Sequence, residues 1–124
     1  MDKKLKQFVL AYIETLLWSE GEIYDENENC IGMFDEYDLC DIALCSVKEM
    51  VCDCKSFIEE IEAIKIDMKT DYIAHNFCLT RNGHGTGFWD RGLGDLGDRL
   101  TDMCKPYGGQ NLYMGDDKKL YVMY

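Results

Sequence analysis

The sequence predicts an α+β domain, and three patterns carry that expectation. An apolar stripe at helical spacing opens the chain, a longer stripe alternating in steps of 3 and 4 occupies its middle, and two short apolar runs flank a polar turn near its end. The expected order is helix, helix, strand, helix, strand, strand, giving a small, mainly antiparallel sheet covered by helices on one face. With 124 residues, the chain is long enough for one core, so residues 1–124 are read as a single domain.

Leu5, Phe8, Val9, Tyr12, Ile13, Leu16 and Leu17 recur at 3,1,3,1,3,1, which only the 3.6-residue period places on one face. They predict a helix over 3–19, ended by Gly21. From there to residue 37 the chain is polar, acidic and aperiodic, the pattern of a long loop. Leu44, Val47, Val51, Cys54, Ile58 and Ile61, with Met50, Phe57 and Ile64 alongside, predict a second helix that packs in the core, with Asp38 as its N-cap. Asn76 to Arg81 alternates and predicts a short strand entering a glycine-rich turn. Leu93, Leu96, Leu100, Met103 and Tyr107 predict a third helix, N-capped by Asp90 or Asp95 and closed by Pro106 and Gly108-Gly109. Asn111–Gly115 and Leu120–Tyr124 around Asp116–Lys119 predict a hairpin. Its last strand has no charge to guard its edge, so a monomer or a homodimer paired there is expected.

Thirteen Lys and Arg against 24 Asp and Glu leave a net charge of −11. That balance disfavours nucleic-acid backbone and anionic membranes and favours a basic partner. The start, Met1-Asp-Lys-Lys-Leu-Lys6, is charged and lacks the apolar stretch of a signal peptide or anchor, so a cytoplasmic protein is expected. Seven cysteines, an odd number sitting mostly at apolar positions, suggest buried reduced thiols. Zinc is the sharper alternative. Yet Cys52 and Cys54 on a helix point about 200° apart, and no Cys-x-x-Cys or His-x-x-x-His pair exists. No metal and no cofactor is expected.

Two segments carry candidate chemistry. In Leu79–Gly92, Gly83, Gly85 and Gly87 permit close backbone approach, while Arg81, Asn82, His84, Trp89, Asp90 and Arg91 supply donors, acceptors and an aromatic face, as ligand-binding loops do. The spacing is neither a P-loop nor a dinucleotide fingerprint. His84 and Asp90 could form an acid–base pair, but only Thr80 and Thr86 stand near as nucleophiles, so no catalytic residue is assigned. The bland alternative is a tight turn in which Phe88 and Trp89 plug the core, Asp90 caps a helix, and Arg81 or Arg91 pairs with it.

The second segment is defined by charge. Between Gln7 and Val47 there is no Lys or Arg but ten acidic residues: Glu14, Glu20, Glu22, Asp25, Glu26, Glu28, Asp35, Glu36, Asp38 and Asp41. Such crowding is either a solvated loop or an array that a groove built for DNA would accept. A calcium loop over Asp25–Gly32 is disfavoured, because the sixth position is Cys30 where an EF-hand needs glycine.

The run Phe77-Cys-Leu-Thr-Arg-Asn-Gly-His-Gly-Thr-Gly-Phe-Trp-Asp-Arg-Gly-Leu-Gly-Asp-Leu-Gly-Asp-Arg-Leu-Thr101, followed by Asn111–Asp117, resembles a family of small proteins encoded by bacteriophages and other mobile elements. Tyr12–Ser19 and Asp53–Phe57 are similar to it too. This chain departs in its richness in cysteine and in its acidic loop. The resemblance implies a setting, the cytoplasm of an infected bacterium, and no mechanism. Setting and charge together lead to the expectation of an inhibitor, not an enzyme, that blocks a host defence nuclease or its nucleic-acid-binding subunit in the manner of an anti-CRISPR. Glu22, Asp25, Glu26, Glu28, Asp35, Glu36 and Asp38 would dock in a Lys/Arg-lined channel, with Trp18, Tyr24, Phe34 and Tyr37 as aromatic anchors. The alternative is a binder or enzyme for a small ligand, such as a nucleotide, using Arg81, Asn82, His84, Trp89, Asp90 and Arg91. A phage protein acting on its own replication or packaging machinery differs from the first only in partner.

Overall fold

A computed structural model describes residues 2–123; Met1 and Tyr124, which close the expected charged start and last strand, lie outside the described residues. Helix α1 runs Lys3–Glu20, its first turn fixed by the Asp2 carboxylate, which accepts from Leu5 N at 2.8 Å. Gly21 ends it at φ 80°, a conformation that glycine adopts without strain. The stretch expected as a loop then folds into a hairpin, β1 (Glu22–Tyr24) paired antiparallel with β2 (Cys30–Met33). Ile23 and Phe34, 2% and 4% exposed, pin this hairpin to the core. Asp25 Oδ1 closes its turn, accepting from Asn27 N and Asn29 N at 2.9 Å each.

Two short 3-10 turns follow, Phe34–Glu36 and Leu39–Asp41. Asp38 caps the second of them in a reciprocal capping box with Asp41, so it is not the N-cap of the next helix. Helix α2 spans Leu44–Ile64 and starts after Ala43 without a side-chain cap.

The expected strand at 76–81 is instead the second half of α3, Thr70–Arg81. Ile73, Ala74, Asn76, Phe77, Cys78, Leu79 and Arg81 are all buried. A helix covered on most of its circumference has lost the polar face that marks helical periodicity, and that produced the apparent alternation. A 3-10 turn at Phe88–Asp90 leads to α4, Asp95–Cys104, whose N-cap is Gly94. Neither Asp90 nor Asp95 caps it.

Strands β3 (Asn111–Met114) and β4 (Leu120–Met123) form the expected hairpin, with Asn111 opposite Met123 and Met114 opposite Leu120. The sheet content is two separate two-stranded units, not one sheet, because the element expected as a strand is α3. The outer edge of β4 is occupied by the chain itself. Ala43 N donates to Leu120 O at 2.8 Å, Val122 N donates to Ser46 Oγ at 3.0 Å, and Ile42 bridges Leu120. At Leu120 and Val122 the edge expected to be unguarded is thus met by residues 42–46 of the same chain.

The core joins α1, α2, α3 and the last hairpin around Phe8, Tyr12, Leu16, Phe57, Phe77 and Leu120, each at most 1% exposed. Phe57 and Phe77 stack at 4.1 Å and 13°, and Tyr107 meets both edge-on. Burying each such side chain contributes about 1.5–3 kcal/mol. Cys54, Cys78 and Cys104 are buried, but Cys30, Cys40, Cys45 and Cys52 are exposed, so the expectation of mostly buried thiols is corrected. Among the described residues no helix is long and apolar enough to cross a membrane.

Candidate functional site

The glycine-rich turn begins where α3 delivers Arg81 into the interior. Its guanidinium is spent there: Nε donates to Gly108 O at 2.9 Å, Nη2 to Tyr107 O at 3.0 Å, and Nη1 to Asp53 Oδ2 at 2.9 Å and to Tyr12 Oη at 3.2 Å. Burial raises the Tyr12 hydroxyl well above its ordinary pKa, keeping it a donor to Gln110 Oε1 at 2.6 Å. Asn82 Oδ1 accepts from Gln110 N at 2.6 Å. Arg81 and Asn82 thus tie α1, α2 and α3 to the loop before β3. Tyr12 and Arg81 are buried and Asp53 and Asn82 half-buried, so these four residues form an interior scaffold.

The other turn residues are divided between packing and surface. Phe88 is fully buried, and its N–H donates to Thr80 Oγ1 at 3.1 Å. Trp89 is 45% exposed, so only one of the two aromatics plugs the core. Its ring lies over Gly87, where an added Cβ would come within 2.3 Å of it. Arg91 Nε donates to Asn76 Oδ1 at 2.9 Å, and neither it nor Arg81 pairs with Asp90, which is exposed.

His84 is the exception, because its Nε2 is buried without a hydrogen-bond partner. It lines a cleft of about 440 Å³ with Thr80, Arg81, Gly83, Trp89, Thr101, Cys104 and Lys105, and Asp90 is not part of that lining. The only thiol there, Cys104, is pushed up to about 12 by burial and stays protonated. An imidazole and an indole face remain, beside a Lys105 ammonium already paired with Asp102 at 2.8 Å, without an activated nucleophile.

The acidic segment has the opposite organisation. Glu22, Glu26, Glu28, Asp35, Glu36 and Asp38 are exposed and Asp25 is half-buried, all held on the hairpin and the turns that follow it. The ion pairs among the described residues are Lys4–Glu62, Arg81–Asp53 and Lys105–Asp102, and none involves residues 20–41. From Glu22 to Asp41 the side-chain hydrogen bonds are local, as where Glu22 accepts from the Tyr24 hydroxyl. Backbone donation, from Asn29 first, holds Asp25 below the usual carboxylate range. Glu20, half-buried, is pushed upward by burial, against the Leu112 N–H that donates to it.

The expected aromatic anchors separate. Tyr24 is 56% exposed, whereas Phe34 is buried in the core and Tyr37 packs against it. Exposed Ile31, Leu39 and Leu44 add apolar surface to this segment. The spacing of Leu44 with Val47 and Val51 predicts a core position, but Leu44 is the first residue of α2 and is 68% exposed. A groove of about 310 Å³ separates β1 from β3, with Glu20, Glu22, Tyr24 and Tyr113 among its walls.

Trp18 belongs to neither segment. It faces α3, its ring 6.2 Å from that of His75, in a cleft that also takes in Glu14, Thr15 and Asp71. Sequence reasoning missed this cleft because it assigned no helix to residues 71–75, so the i, i+4 relation of Asp71 and His75 on α3 was not read. Among the described residues no three His, Cys, Asp or Glu side chains gather closely enough to hold a metal ion. No protein-family model, curated protein or solved structure matches this chain.

Proposed function

We propose that this protein acts by binding, and that its acidic segment occupies a Lys/Arg-lined surface of a nucleic-acid-handling protein, which it thereby blocks. The observation that carries this reading is that the carboxylates of residues 22–38, exposed except for the half-buried Asp25, lack any cationic partner among the described residues and sit on a folded hairpin and the turns after it, anchored by Ile23 and Phe34. Crowded like charges disfavour the fold unless something positive meets them. An array held on a scaffold loses less conformational freedom on docking than a loop would. A surface that accepts duplex DNA, with about one charge per 1.7 Å of axis, is the complement such an array fits. The resemblance to phage-borne proteins makes a host defence nuclease, blocked as by an anti-CRISPR, the first partner to examine.

Tagged protein is incubated with a lysate of a bacterial host and washed through a salt gradient. A DNA- or RNA-processing protein that is retained, that elutes steeply with salt, and that is displaced by added DNA is the expected result. Replacing Asp25, Glu26, Glu28, Asp35, Glu36 and Asp38 together by their amides should abolish retention with the fold intact, and unchanged retention would overturn the reading.

The orphaned His84 Nε2 supports a second reading, a small anionic ligand in the cleft between His84, Trp89 and Lys105. A nucleotide that raises the thermal midpoint of the native protein, but not that of a His84→Ala variant, would favour it.

A further inference from the structure

Facing stripes of α1 and α3 build the cleft around Trp18. Ala11, Glu14, Thr15 and Trp18 recur at i, i+3, i+4 and i+7 on α1, and Asp71 and His75 at i and i+4 on α3, together enclosing about 310 Å³. Trp18 is 61% exposed, the second most exposed large hydrophobic side chain among the described residues, and forms an aromatic wall inclined at 37° to the His75 ring.

Thr15 Oγ1 lies 2.9 Å from Ala11 O and 3.0 Å from His75 Nδ1, and when its single hydrogen goes to Ala11 O it acts as acceptor toward Nδ1. Nδ1 then carries the ring hydrogen, and Nε2 is left as a lone-pair acceptor. Partial burial, with Arg91 adding to it, holds His75 below its ordinary pKa, which keeps the ring neutral at pH 7. Arg91 does not line the cleft. Asp71 Oδ1 accepts from Gln7 Nε2 at 2.7 Å, and Oδ2 is open. Neither Asp71 nor Glu14 joins an ion pair among the described residues. The cleft thus offers two carboxylates, one imidazole lone pair and an indole face, and no cationic side chain.

We propose that this cleft captures an arginine side chain presented by a protein partner, with the guanidinium against the Trp18 indole and its N–H groups donating to Glu14, Asp71 and His75 Nε2. Arginine fits better than lysine, because its planar fork stacks on an aromatic face while bonding several acceptors around its edge. The inference deepens the basic-partner reading and rests on it for the source of the arginine.

The test titrates the full chain, labelled with ¹⁵N, with a capped Gly-Arg-Gly peptide and with its citrulline and lysine counterparts. Trp18→Phe and His75→Gln variants assign the indole N–H and the imidazole resonances. The arginine peptide should shift both in a saturable way on the order of 10 mM, and the citrulline and lysine peptides should bind several-fold more weakly. A Glu14→Gln, Asp71→Asn double variant, whose exposed positions leave the fold intact, should bind arginine about ten-fold more weakly.

No arginine-dependent shift, an equal response to citrulline or lysine, or unaltered binding by the double variant would overturn the proposal. The two readings separate cleanly. If partner capture requires the carboxylates of 25–38 but ignores both Trp18→Ala and the double variant, the arginine cleft fails and the basic-partner reading stands. If the peptide binds the cleft but no captured protein depends on those carboxylates, the reverse holds.

Discussion

The glycine-rich turn and the acidic hairpin use polar residues in opposite ways. In the turn, Arg81 and Asn82 point inward and their hydrogen-bonding capacity is used on Tyr12, Asp53, Tyr107, Gly108 and Gln110. In the hairpin, most carboxylates point outward and are left to the solvent. A dense polar motif in a sequence therefore identifies a site only when its groups remain unspent after folding. By that standard the turn is chiefly a clamp, apart from His84, and the hairpin and the turns after it hold the unspent charge.

The largest effect expected is on the clamp. Arg81→Met leaves the Asp53 carboxylate and two backbone carbonyls without their donor, and breaking a buried pair of this kind costs about 3–5 kcal/mol. Urea unfolding should show the midpoint falling by that equivalent, and a loss below about 1 kcal/mol would mean that the network is not holding the helices together. Gly87→Ala comes next. Its Cβ would lie 2.3 Å from the Trp89 ring and 2.5 Å from Thr80 Oγ1, so thermal unfolding should register an overpacking cost of about 1–3 kcal/mol.

On the other side of the comparison, the six-amide variant of the hairpin should change stability by less than about 1 kcal/mol, with a gain where repulsion is relieved. The amide oxygens can keep the turn and cap bonds of Asp25 and Asp38, so a large loss would show that the charges themselves serve the fold.

The smallest effect is a pH dependence. His75 has a folded pKa below its unfolded value, so the folded state binds fewer protons there; its contribution is complete above the unfolded value of 6.5 and is lost as pH falls through the folded one. Between about pH 7.5 and 5.5 the native protein should lose more stability than a His75→Gln variant, as read by urea midpoints.

Legibility in the sequence followed how each element is covered. Helices α1 and α2 keep one apolar stripe and one polar face, and the C-terminal hairpin keeps its turn, so all three were readable. Helix α3 was not, because tertiary packing covers Phe77, Cys78 and Leu79 together with Asn76 and Arg81. Strands β1 and β2, three and four residues long, are too short for alternation to register, and only Ile23 and Phe34 hinted that the acidic stretch had an inner side. The clamp joins residues 12, 53, 81 and 110, whose proximity arises only when the helices pack. The exposure of the acidic residues, by contrast, follows from their chemistry, since carboxylates without cations stay in water.

The claim that the hairpin binds and the turn holds is tested most directly by one side-by-side capture. Native protein, the six-amide variant, and a His84→Ala, Trp89→Ala variant are each immobilised, exposed to the same bacterial lysate and eluted with salt. Retention of a nucleic-acid-handling protein by the native and the turn-variant chains, but not by the six-amide chain, is the predicted result. Retention by the six-amide chain with loss from the turn variant would contradict it and place function in the His84 cleft.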